Sequence, residues 1–130
     1  MVITALVLAG LAALVHVYIF YMESLAWTSP RVRATFGTSP EEAQSTKEMA
    51  FNQGFYNLFL AIGTVLGIVL FLAGADESGV RAAGLALVLF SLGSMVAAAL
   101  VLLTTGMKYL RAALLQGTLP LIGFVLYLFA

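Results

Sequence analysis

The hydrophobic positions of this chain form four long runs, which short polar segments separate. A membrane-spanning helix needs about 20 mostly apolar residues to cross a hydrocarbon core of roughly 30 Å. The runs are long enough for this, and they predict membrane spans at about residues 2–22, 49–72, 82–105 and 110–130. We therefore expect an all-α fold with a single domain over residues 1–130, a four-transmembrane-helix bundle.

The first loop, Glu23 to Glu48, carries signals for a helix of its own. The string Ser39-Pro40-Glu41-Glu42 combines an N-cap residue, a proline in the first turn and acidic side chains, which is the usual start of a helix. We expect a short interfacial helix from about Pro40 to Lys47 that leads into the second span.

The composition agrees with a membrane protein and excludes several kinds of chemistry. Hydrophobic residues make up 62% of the chain and charged residues 9%, with a mean hydropathy of +1.06, whereas soluble domains carry about 25% charged residues. The net charge is zero, so we expect no nucleic-acid partner. The chain has no cysteine and a single histidine, His16, so no metal site is expected, and nothing in the sequence identifies a cofactor.

The distribution of basic residues predicts the orientation in the membrane, because lysine and arginine near a span are retained on the cytoplasmic side. Five of the six basic residues lie in the first and third loops, and Arg81 lies in the second. We therefore expect a multi-pass protein of the plasma (inner) membrane with loops one and three in the cytoplasm and both termini outside (N-out/C-out). The five residues are Arg31, Arg33, Lys47, Lys108 and Arg111.

Polar side chains inside the predicted spans gather near the predicted cytoplasmic ends. His16 lies in the first span, and Gln116 lies in the fourth beside Pro120, which cannot donate to the Gln116 carbonyl. Unpaired polar groups in hydrocarbon cost several kcal/mol, so these groups must bond to one another, to water or to a ligand. In the second span one half of the helix is polar and is predicted to face inward, while the aromatic half meets lipid. The polar half comprises Glu48, Asn52, Gln53, Tyr56 and Asn57.

These residues predict a polar pocket on the cytoplasmic side, between the first, second and fourth helices. It would hold a lipid or another small, partly apolar molecule, which the amides and Tyr56 would orient. His16 and Glu23 form a candidate proton-transfer pair, because imidazole titrates near neutral pH. The candidate ligand-binding residues are Asn52, Gln53, Tyr56, Asn57, Gln116, Glu48, Trp27 and Arg31.

Each of these features also has a structural interpretation that the sequence leaves open. His16 and the amides can simply bond one helix to another. Glu23 and Glu48 can be solvated carboxylates at span ends. Trp27 can be an interfacial aromatic, and Arg31 can act as a topology signal. Two alternative functions follow. One is a structural or accessory subunit, which the glycine and alanine stripes favour, and the other is a small dimeric transporter. The sequence does not decide whether the protein is an enzyme or forms a homo-oligomer.

One string, Asn52-Gln53-Gly54-Phe55-Tyr56-Asn57, is far more specific than apolar helices alone. Further distinctive segments are spread over nearly the whole chain: His16 with Tyr18 and Glu23, Trp27-Thr28-Ser29-Pro30-Arg31, Phe36-Gly37, Thr46-Lys47, Thr104, and Gln116 with Pro120. Together they resemble a family of small bacterial membrane proteins, DUF1304, a domain of unknown function. The resemblance implies a four-helix membrane fold and no established activity.

Overall fold

The computed structural model describes residues 1–129, and four long helices account for most of them. Each of the four is long and apolar enough to cross a membrane, so the predicted all-α, four-helix architecture is confirmed. The predicted end of the last span at Ala130 lies outside the described residues. The six α-helices are α1 (Val2–Phe20), α2 (Pro30–Phe36), α3 (Pro40–Ser45), α4 (Lys47–Ala73), α5 (Gly79–Thr104) and α6 (Leu110–Leu128).

The four long helices form a ring in which each packs against two neighbours. α1 packs against α4 and α6, and α5 packs against the same two helices from the opposite corner. Short connections make successive helices antiparallel. We call the end with the segments 21–46 and 105–109 the loop end, and the end with the α4–α5 connection, residues 74–78, the turn end.

Glycines bring the helix backbones into direct contact and thereby set the rotation of α4. Near the turn end, a Cβ added to Gly67 would lie only 2.9 Å from the Val88 amide nitrogen and 3.0 Å from the Gly84 carbonyl oxygen. Near the loop end, a Cβ on Gly54 would lie 3.1 Å from the Phe20 carbonyl oxygen. Small residues allow this close approach of membrane helices. α4 is therefore held against α5 at one end and against the end of α1 at the other.

The first helix does not stop at the predicted Met22. After Phe20 it continues as a π-helical turn, Tyr21–Leu25, so the apolar helical segment extends to Leu25. The Ser24 hydroxyl donates to the Phe51 carbonyl oxygen over 2.7 Å, which ties this turn to α4. Single π turns of this kind are frequent at functional sites, and this one contains Glu23.

The first loop contains two short helices, of which the sequence predicted one. α3 begins with a capping box, in which Ser39 and Glu42 satisfy each other's backbone amides, and it confirms the predicted short helix. α2 was not predicted, although its signals are present: Ser29 caps its start and Gly37, with a φ of 67°, ends it.

The glycine contacts lead to a stability prediction. Gly67→Ala should lower the free energy of unfolding by about 1–3 kcal/mol, because the added methyl group meets the α5 backbone, which cannot move aside cheaply. Gly10→Ala is the matched control, since nothing lies within 4 Å of a Cβ at that helical position. Thermal unfolding in detergent measures both variants. Equal melting temperatures would contradict the packing described here.

Candidate functional site

A cavity of about 640 Å³ lies at the loop end, between α4 and α5. One wall comes from α4 through Met49, Gln53 and Asn57, and the facing wall comes from α5 through residues such as Leu102. The first loop covers it, and Gln116 of α6 lines it as well. Four parts of the chain that are distant in sequence therefore meet around this one space.

Glycine contacts show how α4 and α5 are held at the two ends of the bundle. They touch at Gly67 and Gly84, but towards the loop end each of them is held by a different neighbour. Gly54 holds α4 against the end of α1, while Gly117 of α6 packs so closely on α5 that a Cβ there would lie 2.7 Å from Ala99 Cβ. Close contact of the α4 and α5 backbones thus lies near the turn end, and the cavity between the two helices lies at the loop end.

A carboxylate and an amide form the polar part of the cavity wall. The Asn57 side-chain amide donates to Glu23 Oε2 over 2.7 Å and also to the Gln53 carbonyl oxygen over 3.3 Å. Glu23 and Asn57 are half-buried, and both line the cavity. Ionisable groups inside apolar spans are costly and usually functional, so this pair is the centre of the candidate site.

Two aromatic side chains of the first loop form another wall. The Trp27 indole Nε1 donates to Thr46 Oγ1 over 3.1 Å, which fixes the ring against the start of α4. The Phe36 ring packs on it, with ring centroids 5.0 Å apart. All three residues line the cavity, and Trp27 is the single tryptophan of the chain.

The first loop and the α5–α6 connection contribute further polar groups to the lining. The Thr38 hydroxyl is buried and has no hydrogen-bond partner among residues 1–129. The Glu42 carboxylate accepts from the Ser39 amide over 2.9 Å, and the Lys108 ammonium lies 4.9 Å from the centre of the Tyr109 ring. None of these residues was predicted as part of the site, because hydroxyls and charges in loops are common and nothing in their spacing marks them.

Several predicted site residues lie outside the cavity. Glu48, Asn52 and Tyr56 are exposed on the outer face of α4, and Arg31 is exposed on α2. The polar half of the second span was predicted to face inward, but only Gln53 and Asn57 do so with respect to the cavity. The physical reason is that the buried small residues of α4, with Gly54 against α1, set the rotation of the helix. This rotation turns the remaining residues of the polar half outward.

His16 is placed apart from Glu23. It is 1% exposed, and its Nδ1 donates to the Ala12 carbonyl oxygen over 2.9 Å. Glu23 bonds to Asn57 instead, and no hydrogen bond joins His16 to Glu23 within the described residues. His16 does not line the cavity. The π turn that follows Phe20 also breaks the regular spacing on which the prediction of a shared helix face rested.

The cavity lining suits an organic molecule better than a metal ion. Among residues 1–129, no three or more histidine, aspartate or glutamate side chains come together as a metal ion would require. The lining instead combines amides, hydroxyls, two carboxylates and one ammonium group with apolar surface from Met49, Val101 and Leu102. Such a surface can hydrogen-bond a polar group and pack against an apolar one.

Comparisons with known proteins identify relatives but no activity. Residues 10–128 match the sequence profile of a family described as a protein of unknown function (DUF1304). The uncharacterized protein YpaA of Lactococcus lactis subsp. lactis (strain IL1403) is 31% identical over 109 residues, which cover 82% of this chain and 90% of that protein. No solved structure matches the chain significantly.

The hydrogen bond of Trp27 gives a direct test of the aromatic wall. Thr46→Val should lower the free energy of unfolding by about 1 kcal/mol, because the half-buried indole N–H loses its acceptor, and it should shift the tryptophan emission. Thr118→Val is the control, since that exposed hydroxyl donates only to the Leu114 carbonyl oxygen on its own helix. Identical emission spectra for wild type and Thr46→Val would show that the indole is not held in this way.

Proposed function

This chain belongs to the DUF1304 family, and from that premise we propose that it is a membrane protein that binds a small, partly apolar molecule in the cavity at the loop end. The observation that carries the proposal is the cavity itself, about 640 Å³ between apolar helices. Ligand pockets commonly measure about 300–1,000 Å³ and are mostly apolar with a few convergent polar groups.

The polar groups of the lining support binding over packing alone. The buried Thr38 hydroxyl lacks a partner in the part of the chain that the structure describes, and burying such a group unsatisfied costs about 1–3 kcal/mol. Gln53 and Gln116 also line the cavity with their amides. Polar groups that only glue helices together would satisfy one another, whereas a bound molecule supplies partners for these.

The orientation and location form part of the same proposal. Five of the six basic residues lie at or next to the loop end, and Arg81 lies near the turn end. Under the rule that basic residues are retained inside, the loop end faces the cytoplasm and the cavity opens in the cytoplasmic half of the plasma membrane.

Binding does not require a chemical reaction. Glu23 has a place in the cavity, and His16 is buried outside it. A proton-transfer role for the two residues stays a prediction, since the hydrogen bonds tie them to different partners.

A substitution that fills the cavity tests the proposal. The protein purified in mild detergent should retain a small molecule, visible by native mass spectrometry, and Ala98→Phe should lower its occupancy about tenfold, equivalent to about 1.4 kcal/mol of binding free energy. Ala98 is exposed and lines the cavity, so a phenyl ring there enters the cavity without disturbing the core.

Ala97→Phe is the matched control, because Ala97 is also exposed on α5 and does not line the cavity. Equal occupancy in wild type and both variants, or no retained molecule in any of them, would contradict the proposal.

A second candidate function is that of an accessory subunit, and the outer face of α4 favours it. Glu48, Asn52 and Tyr56 follow one another at helical spacing and are exposed, with Tyr56 60% exposed. Polar side chains on membrane helices commonly hydrogen-bond across to a neighbouring helix. A partner helix on this face would give these groups bonding partners.

Asn52→Leu tests the second function. If α4 binds a partner protein, chemical crosslinking in membranes should yield a stoichiometric complex that this substitution weakens, because the amide can no longer bond across the interface. Phe59→Leu, an apolar exchange at an exposed position of α4, is the control. Identical crosslinking patterns in wild type and Asn52→Leu would exclude a contact through this amide.

A further inference from the structure

We infer that the molecule in the cavity is an amphiphile with a protonated amine as its head group, which enters sideways from the bilayer between α4 and α5 and places its amine against Glu23. This inference rests on the proposed function. It adds the chemical class of the ligand and its route.

The route follows from residues that line the cavity and are also exposed on its side. Met49 of α4 is 66% exposed and Val101 of α5 is 63% exposed, and Ala98 and Gln53 are exposed as well. All four belong to helices that are apolar enough to span a membrane. The gap between α4 and α5 is therefore open at the level of the bilayer, with apolar side chains on both of its sides.

The head group follows from the bonding of Glu23. Its Oε2 accepts from Asn57, and Oε1 receives no hydrogen bond from any residue between 1 and 129. The one salt bridge within that range joins Arg81 to Asp76 near the turn end, so no basic side chain pairs with Glu23. A carboxylate at the end of an apolar span needs a partner. An ammonium group supplies a charge-assisted bond to the second oxygen.

The other charged groups of the lining agree with an amine. The Glu42 carboxylate already caps α3, and the Lys108 ammonium lies over the Tyr109 ring. An anionic head group next to Lys108 would leave Glu23 unpaired beside the apolar part of the ligand. An amine leaves Lys108 in place, and the faces of the Trp27 and Phe36 rings attract cations and pack against alkyl chains.

The single tryptophan makes the head group measurable. Dodecylamine, dodecanol and dodecanoate share one chain length and differ only in the head group, and binding of each should change the fluorescence of Trp27 in the cavity wall. Dodecylamine should bind at least about tenfold more tightly than dodecanoate, a difference of about 1.4 kcal/mol.

Glu23→Gln should remove that preference. The new side chain keeps an acceptor for Asn57, so the fold is conserved while the charge is lost. Glu41→Gln is the control for charge, because Glu41 is exposed on α3 and does not line the cavity. It should leave the affinity for dodecylamine unchanged.

The route of entry has a separate test. The sequence contains no cysteine, so a maleimide will label only a cysteine that is introduced. A bulky maleimide on Val101→Cys should slow the association of dodecylamine about tenfold, because it stands in the gap. The same label on Leu100→Cys is the control, since Leu100 is 59% exposed but does not line the cavity. Equal association rates for the two labelled proteins would overturn entry between α4 and α5.

The outcomes separate this inference from the proposed function. If dodecanoate binds as tightly as dodecylamine, or if Glu23→Gln binds dodecylamine like wild type, the amine is wrong and the cavity remains a binding site. If none of the three compounds changes the Trp27 fluorescence and Ala98→Phe has no effect on a retained molecule, the proposed function itself fails.

Discussion

The rest of this structure depends on backbone contact between helices at a few glycines. Gly67 and Gly84 join α4 to α5 near the turn end, whereas Gly54 joins α4 to the end of α1 and Gly117 joins α6 to α5. These contacts hold α4 and α5 together near the turn end, while near the loop end each of them packs closely on another helix. The cavity lies at the loop end, away from the contact of Gly67 and Gly84, and the first loop supplies part of its lining.

The second constraint is that polar groups in an apolar environment need partners. Asn57 meets this need for one oxygen of Glu23, Trp27 and Thr46 meet it for each other, and His16 uses the carbonyl of Ala12. The first two of these bonds fasten the end of α1 and the first loop to α4, whereas the bond of His16 lies within α1. Among residues 1–129, two buried polar atoms lack a hydrogen-bond partner: the Thr38 hydroxyl belongs to the cavity lining, and the Tyr127 hydroxyl lies near the turn end.

The number and approximate length of the spans were predictable, because the thickness of the bilayer alone dictates runs of about 20 apolar residues. The side of α4 that points into the bundle was not predictable. The polarity of Asn52 and Tyr56 predicted that their side chains face the inside of the bundle. The close contact at Gly54 determines the rotation of α4 instead, and a hydropathy pattern contains no information on contact distances. The π turn after Phe20 was not predictable either, because arguments from residue spacing assume a regular helix. The α5 wall near Leu102 was missed because apolar residues that line a cavity look like those that face lipid.

The contact of α4 and α5 near the turn end has a mechanical consequence. From Gly67 to Met49 the α4 arm is about 27 Å long, at about 1.5 Å per residue. A change of about 5° in the angle between the two helices would displace the far end of such an arm by about 2 Å, more than the length of a carbon–carbon bond. On the opposite side of the ring α1 and α6 pack on each other, with Gly123 of α6 against Leu8 and Ala9 of α1, and this contact opposes such a change. A small change in the packing at Gly67 and Gly84 would therefore have a large effect on the width of the cavity at the loop end.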